Sequence, residues 1–265
     1  MPTPVENLWM SSEITYREKW NFPNAVAALD GKHILFQAPA HSGSMYYCYK
    51  KYFSTVLLAL VDANYKFIAI DVGAYGKNSD ANIFKNSNLG KCLSDESLNM
   101  PPPKALPGGN TVVPHVIIAD EAFGLSTYLM RPYSRDDIRG DEGKKIFNYR
   151  LSRARNTVED TFGILVKKFR LFERRLLMSH DHTVTVVSAI CCLHNFLRDD
   201  TCYWSERDQT ITLRDMNALE NFRGFGGNST SDALAVRNAF KEYFSSESGA
   251  IPWQRRRVRA GRLSQ

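Results

Sequence analysis

The chain has 265 residues, of which 43% are hydrophobic and 23% charged, a balance that suits one large domain or two small ones with a sizeable core. The net charge of +6 favours an anionic partner, although an excess of this size is modest. We find no apolar run that could cross a membrane, no signal peptide, and five cysteines without paired spacing, which argues for a reducing compartment.

The N-terminal third predicts an arm and then strands. Residues 1–24 are mixed and punctuated by prolines, and they are predicted to lead into the domain as an arm. The apolar run 25–29 predicts a buried strand that ends in a turn at Asp30 and Gly31. Residues 51–61 and 67–74 are apolar and β-branched, and the short turn between them predicts a hairpin.

The middle of the chain alternates loops with short elements. Asp80 is predicted to be the N-cap of a short helix, and residues 88–113, rich in Gly, Pro, Ser and Asn, predict a long loop or insertion. The apolar run 113–119 predicts a central strand that ends at Asp120. Residues 121–129 predict a short helix that Pro132 stops, and a charged loop follows.

Residues 147–172 carry a clear helical pattern. Apolar residues recur at steps of three and four, which places them on one face of an α-helix: Phe147, Leu151, Ala154, Val158, Phe162, Leu165 and Phe169. Glu159 is a carboxylate beside this stripe, and Arg155 precedes it by one turn. Two interpretations stay open, an Arg155–Glu159 ion pair or a carboxylate that points at a metal ion.

The C-terminal third predicts two more helices, at 184–197 and 231–244, with an irregular stretch between them and a basic tail from Arg255 onward. Three strands in a row, followed by a helix, a further strand and more helices, indicate an α/β fold with a mixed sheet.

Three carboxylates lie where they could converge. Asp30 and Asp120 each follow a predicted strand, and Glu159 lies on the helix expected to pack on the sheet. Clustered carboxylate oxygens are ligands for Mg²⁺ or Mn²⁺, and two such ions suit phosphodiester chemistry. The alternative is that one or more of the three is a helix cap or a surface charge.

Several short motifs occur in one order along roughly residues 1–200. The main ones are ALDGKH at 28–33, IIADEAFGL at 117–125 and RNTVEDTFGILVKKFRLF at 155–172, and the supporting ones are FPN at 22–24, SDANIF at 79–84, FNYRLSRAR at 147–155 and CLHNF at 192–196. Together they resemble the PIF/Harbinger transposase family and its domesticated nuclease-like relatives. That family usually has a histidine before the residue matching Asp80, whereas this chain has Ser79.

The resemblance implies an RNase H-like mixed sheet flanked by helices and a DDE triad. Carried over by motif, the triad is Asp30, Asp120 and Glu159, both as catalytic residues and as ligands of Mg²⁺ or Mn²⁺. It also implies a DNA substrate and a nuclear location, with the cytoplasm as the alternative. Only about 24 residues precede the first motif, so either the chain is a fragment or a Myb/SANT-like partner protein reads the DNA. A homo-oligomer is left open.

The resulting domain division has four parts: an N-terminal arm at 1–24, an RNase H-like DDE catalytic domain at 25–200 with the insertion 88–113, an irregular and helical extension at 201–254, and a basic tail at 255–265. The phosphate-facing surface is predicted from the basic residues of the long helix: Lys144, Lys145, Arg150, Arg153, Arg155, Lys167 and Lys168. A solvated helix face is the alternative, and the tail could bind DNA, serve in nuclear import or be a plain basic end.

Two hypotheses for function follow. The first is a Mg²⁺-dependent endonuclease or DDE transposase domain that hydrolyses phosphodiester bonds and transfers DNA strands. The second is a catalytically silent DNA- or protein-binding module on the same fold. The three intact carboxylates favour the first hypothesis, while Ser79 and the missing DNA-reading region favour the second.

Overall fold

A computed structural model describes residues 3–95, 97–199 and 230–260. These residues form two compact units. The first unit contains residues 29–98 and the part of the chain that begins at 157, and the second contains residues 5–28, 99–156 and the C-terminal helices. The predicted irregular stretch around 200–229 and the end of the basic tail lie outside the described residues. The domain boundaries predicted from the sequence stay a prediction.

A hairpin forms the sheet of the first unit, as predicted. Strand β2 (Ser54–Val61) is buried along its whole length, and it pairs antiparallel with β3 (Phe67–Tyr75). Asp62 closes the turn, because its Oδ1 accepts hydrogen bonds from the backbone N–H groups of Asn64 and Lys66, both at 2.8 Å. The preceding strand β1 (Ala25–Leu35) is longer than the prediction, since it continues through Asp30 instead of turning there.

Two short helices follow the hairpin, α2 (Asp80–Asn86) and α3 (Asn88–Ser94). The predicted N-cap role of Asp80 is wrong, because the Ser79 hydroxyl accepts the capping bond from Asn82 N at 3.4 Å. Asp80 lies in the first turn, where its negative charge complements the helix dipole. The predicted loop at 88–113 is wrong in part, since it contains α3 and a small antiparallel ribbon of β4 (Lys104–Ala105) and β5 (Val112–Val113).

Parallel strands characterise the sheet of the second unit. The first residues of β1 pair in parallel with β6 (Val116–Ile118), and Ala28 lies opposite Ile118. Strand β6 also pairs in parallel with β7 (Leu129–Met130), which occupies the end of the predicted helix 121–129, so that prediction is wrong. A tight turn, in which Ser126 N donates to Leu129 O at 3.1 Å, replaces the helix. The strand order is β3-β2-β1-β6-β7, a mixed sheet that confirms the predicted α/β class.

The second unit has an aromatic core. Its N-terminal residues form helix α1 (Glu6–Lys19), where the sequence predicted only an arm. The ring of Phe22 lies 5.4 Å from that of Phe240 and 4.9 Å from that of Phe244, both on helix α6 (Ser231–Ser245). The short basic helix α7 (Gln254–Ala260) ends the described chain.

The long predicted helix is confirmed as α4 (Glu142–Lys168), and a 3-10 turn (Arg170–Glu173) follows it. It begins earlier than Phe147 because Asp141 Oδ1 accepts a hydrogen bond from Lys144 N at 2.9 Å. The last long helix is α5 (His180–Asp199), which packs on β3 in the first unit. No helix in the described ranges is long and apolar enough to span a membrane.

Candidate active site

Asp30 lies in the first unit, within β1, at the point where burial of the strand becomes incomplete. Its side chain is half-buried, and its Oδ1 accepts a hydrogen bond from the next backbone amide, Gly31 N, at 2.8 Å. This bond holds one carboxylate oxygen of Asp30 against the backbone of the strand. Lys32 follows two residues later on the same face of the strand.

Gly31 allows a second carboxylate to reach this part of β1. A Cβ placed on Gly31 would lie 2.8 Å from Asp80 Oδ2, so the Asp80 carboxylate rests against the Gly31 backbone. A side chain at position 31 would displace Asp80. The glycine after Asp30 was the sequence signal for this contact, but the prediction of a turn at Asp30 and Gly31 accounts for the same glycine.

Lys32 brings a positive charge to the same strand. Burial, followed by the charge of Lys50, lowers the pKa of Lys32, while Asp30 acts in the opposite direction. Its Nζ lies 5.7 Å from the ring centroid of Phe162 on α4. Lys32 was not among the predicted site residues, and its place beside Asp30 follows only from the strand continuing past residue 30.

Glu159 lies in the part of α4 that belongs to the first unit and is half-buried there. Asp160 follows it directly, and burial together with the charge of Glu159 raises the pKa of Asp160 to about 7. A carboxyl with a pKa near neutrality beside a second carboxylate marks a region that favours added positive charge. No sequence pattern had singled out Asp160.

Asp120 lies in the second unit, two positions after the end of β6, and is also half-buried. Its Oδ1 accepts a hydrogen bond from Ala122 N at 2.9 Å, which fixes the turn that replaces the predicted helix. Asp120 is two residues beyond Ile118, just as Asp30 is two residues beyond Ala28, the partner of Ile118 in the parallel register.

The donor chemistry of these residues fits a hard divalent cation, because the oxygens are carboxylate oxygens on half-buried side chains. Across the described ranges, however, no three Asp, Glu, His or Cys side chains are arranged so that they could already hold a metal ion. The convergence of Asp30, Asp120 and Glu159 on one ion therefore stays a prediction.

The basic residues predicted to face phosphate occupy different environments. Arg150 is only 2% exposed, and its guanidinium donates to Gly249 O, Gln254 Oε1 and Asn21 O. Arg153 donates to backbone oxygens of Lys19 and Trp20 and to the Asn21 side chain. Both arginines make these bonds inside the second unit, and the burial of Arg150 leaves little of its side chain to face a DNA backbone.

The remaining predicted residues divide by exposure. Arg155 is 8% exposed. Lys144 lies 3.9 Å from Asp141 Oδ2 and above the ring of Tyr133, and Lys145 is half-buried. Lys167 and Lys168 are exposed at the C-terminal end of α4, where positive charge also complements the helix dipole. These two lysines are the members of the set best placed to meet a large anionic partner.

Comparison with known proteins decides the family. Residues 29–195, well over half of the chain, match a family described as DDE superfamily endonuclease. The chain belongs to the DDE superfamily of endonucleases. This DDE endonuclease match includes Asp30, Asp120 and Glu159, and superfamily members generally use divalent metal ions and act on DNA.

A curated relative is also similar to this DDE endonuclease chain. It is "Protein ALP1-like" from Arabidopsis thaliana, 27% identical over 186 residues. The match covers 67% of this chain but 44% of the relative, so the chain spans less than half the length of that protein. No solved structure matches the chain.

Proposed function

We propose that this chain is a metal-dependent DNA nuclease of the PIF/Harbinger transposase type, with Asp30, Asp120 and Glu159 as its catalytic carboxylates. The observation that carries the proposal is the parallel register of β1 and β6, in which Ala28 pairs with Ile118. Equal steps of two residues lead from this pair to Asp30 and Asp120, and parallel strands present such positions at the same edge of a sheet.

The three carboxylates would hold one or two Mg²⁺ or Mn²⁺ ions, which when bound would polarise the phosphate and activate a water or a 3′-hydroxyl. The chain itself supplies orientation and charge. The Gly31 amide orients Asp30, and the Ala122 amide orients Asp120. Lys32, beside Asp30, offers an ammonium group to a phosphate oxygen of the scissile strand.

A catalytically silent DNA- or protein-binding module is the second candidate. It is favoured by the finding that, within the described ranges, no three potential ligands are already arranged around one point. The two candidates differ in one measurable property, because only the nuclease requires the carboxylates to bind a divalent ion.

The proposal extends to partners and location. DNA is the proposed substrate, and a Myb/SANT-like protein is the proposed reader of its sequence. The basic helix α7 supports a nuclear location, because Arg255, Arg256 and Arg257 are exposed and consecutive. A homo-oligomer would supply two active sites for two DNA ends.

The test combines metal-dependent melting with DNA nicking for Asp120→Asn and Glu159→Gln. Each variant removes one negative charge, so the metal-free protein should be as stable as the wild type or slightly more stable. The wild-type rise in melting temperature with Mn²⁺ should be lost in both variants, since stabilisation follows binding to the native state. Nicking of labelled DNA should fall at least 100-fold, on the order expected when a charge-stabilising group is removed.

Asp136→Asn is the matched control, because the Asp136 side chain is 86% exposed and forms an exposed ion pair with Arg139 at 3.4 Å. It should keep both the Mn²⁺ response and nicking. If Asp120→Asn and Glu159→Gln both kept the wild-type metal response, the three-carboxylate site would not exist. A wild type that binds Mn²⁺ without nicking any DNA would support the silent module.

A further inference from the structure

Within the second unit, a cavity of about 200 Å³ lies beside a buried cation that the nuclease proposal does not use. The residues that line it include two arginines, Arg17 from α1 and Arg150 from α4, together with Tyr243 from α6. Backbone of the turn that follows α6 closes the cavity at Gly249 and Ala250. The cavity is smaller than sites for organic ligands, which are about 300 Å³ or more, but roughly 30 Å³ suffices for each water, so a small ion fits.

Arg150 carries a charge that its neighbours leave uncompensated. All three of its hydrogen-bond acceptors are neutral oxygens, from Gly249, Gln254 and Asn21. Its Nε is buried and finds no acceptor within the described residues. The ring of Phe244 lies 4.3 Å from the guanidinium carbon and offers only a weak attraction. A buried guanidinium without a carboxylate partner is costly, which leaves it open to an anion.

Burial and the neighbouring charges shift the pKa values of the residues that line the cavity. Burial lowers the pKa of Arg150 to about 10, and no carboxylate is among the groups that raise it. Burial raises the pKa of Tyr243, while the charges of Arg150 and Arg17 both act to lower it. Tyr243 lines the same cavity as both arginines, so its hydroxyl is a candidate donor to an anion bound there.

Two nearby carboxylates belong in this description, Glu13 and Glu18. Glu13 is fully buried, and its Oε1 lies 3.4 Å from Arg17 Nε, while its Oε2 lies 3.8 Å from Lys104 Nζ. Glu18 Oε1 lies 3.8 Å from Arg17 Nη2, so the cations Arg17 and Lys104 face two carboxylates. The positive charge of Arg150 is added to this balance, so the region as a whole retains a net positive charge.

We propose that the cavity lined by Arg17, Arg150 and Tyr243 binds a phosphate group. Arginine is suited to this role because its planar fork of donors matches the oxygens of phosphate. The small volume admits a free phosphate ion or a terminal phosphate monoester and excludes a duplex backbone. The site lies in the second unit, and the proposal does not depend on whether the chain cleaves DNA.

Melting of the full chain in inorganic phosphate, compared with KCl at equal ionic strength, tests the site. Phosphate at about ten times its dissociation constant should raise the melting temperature by about 3–5 °C. Arg17→Gln should weaken phosphate affinity at least tenfold, and Tyr243→Phe should weaken it several-fold while keeping the ring packed. Each variant is compared with itself without phosphate, so a change in its basal stability does not obscure the result.

Arg139→Gln is the matched control, since Arg139 belongs to the same unit, is 82% exposed and does not line the cavity. It should keep the wild-type phosphate response. Equal melting in phosphate and KCl, or an equal loss in Arg139→Gln and Arg17→Gln, would overturn the proposal.

A competition experiment distinguishes the two sources of phosphate. An oligonucleotide with a 5′-phosphate that displaces inorganic phosphate, when the same strand with a 5′-hydroxyl does not, indicates a terminal nucleic-acid phosphate. Binding of inorganic phosphate alone indicates a free ion. Failure of both to bind contradicts the site.

Discussion

At the scale of single residues, a glycine and a carboxylate define the part of the candidate site within the first unit. Asp30 is oriented by the backbone amide of Gly31, and Asp80 rests against the same glycine. The site thus depends on the absence of a side chain at position 31 as much as on the carboxylates. Adding a single methyl group at Gly31 should therefore have a large effect on stability.

Gly31→Ala should destabilise the protein by about 1–3 kcal/mol, because the new Cβ would lie 2.8 Å from Asp80 Oδ2 and would force the carboxylate away. Urea unfolding measures the loss. In an Asp80→Ala background the same substitution should cost much less, since the clashing group is gone, and a double-mutant cycle isolates this coupling.

Gly163→Ala provides the control for the glycine substitution. Gly163 lies within α4, and nothing lies within 4 Å of a Cβ placed on it. The substitution should stabilise the protein by about 0.5–1 kcal/mol, because alanine favours a helix over glycine. An equal cost of Gly31→Ala with and without Asp80 would show that the contact has no energetic role.

At the scale of elements, helix α5 is attached to the β2–β3 hairpin by polar contacts as well as by packing. Asn195 Oδ1 accepts from Phe67 N at 2.8 Å, and its Nδ2 donates to Phe67 O at 2.7 Å, so the amide pairs with the strand as a neighbouring backbone would. His194 lies 2.7 Å from Tyr65 O through Nε2 and is 1% exposed. The motif CLHNF therefore serves to dock the helix within the first unit.

This docking should depend on pH. Burial lowers the pKa of His194 to about 4 from its ordinary 6.5. Between these values the unfolded chain binds a proton that the folded chain excludes, so stability should be fully present above pH 6.5 and be lost as the pH falls toward 4. The contribution should be about 3 kcal/mol, measured by urea unfolding as a function of pH.

His194→Gln should reduce this slope while retaining a donor toward Tyr65 O. The slope should not vanish, because burial also lowers the pKa of His33 to about 4. His182→Gln, at an exposed position on the same helix, should leave the slope unchanged. If the two substitutions had the same effect on the pH profile, His194 would not be the group that titrates.

Sequence patterns predicted the long elements well and the short ones poorly. Helix α4 and the hairpin of β2 and β3 are set by the local pattern of apolar residues, so they could be predicted from the sequence. Strand β7 has two residues, and its pairing with β6 supplies the hydrogen bonds that a local helix would otherwise make. The carboxylate motifs could be identified by resemblance, whereas the contact of Asp80 with Gly31 is set by tertiary packing.

At the scale of the whole molecule, the basic residues that give the net charge of +6 serve different roles. Arg150 and Arg153 serve the interior of the second unit through hydrogen bonds to backbone and amide oxygens. Exposed positive charge is found at the end of α4, at Lys167 and Lys168, and on α7, at Arg255 and Arg256. Counting basic residues in the sequence therefore overstates the number that can meet DNA.

The affinity of the full chain for DNA should depend on its exposed basic residues and not on its buried arginines. The logarithm of affinity should fall linearly with the logarithm of salt concentration, with a slope of about −0.9 for each phosphate contacted on duplex DNA. Two duplexes of unrelated sequence should give nearly the same affinity and slope, because phosphate contacts position a protein without reading bases. Fluorescence anisotropy across a salt series measures both quantities.

Two charge-removing pairs then locate the contacts. Lys167→Gln with Lys168→Gln should make the slope less steep by about two units if both lysines contact phosphate, and Arg255→Gln with Arg256→Gln tests α7 in the same way. Removing the residues after Gln254 should change the slope by the same amount as the second pair, if the contribution of the tail comes from those two arginines. An affinity that barely changes between low and physiological salt would contradict the phosphate-facing surface. A slope unchanged in both pairs would mean that other residues of the chain carry the contact.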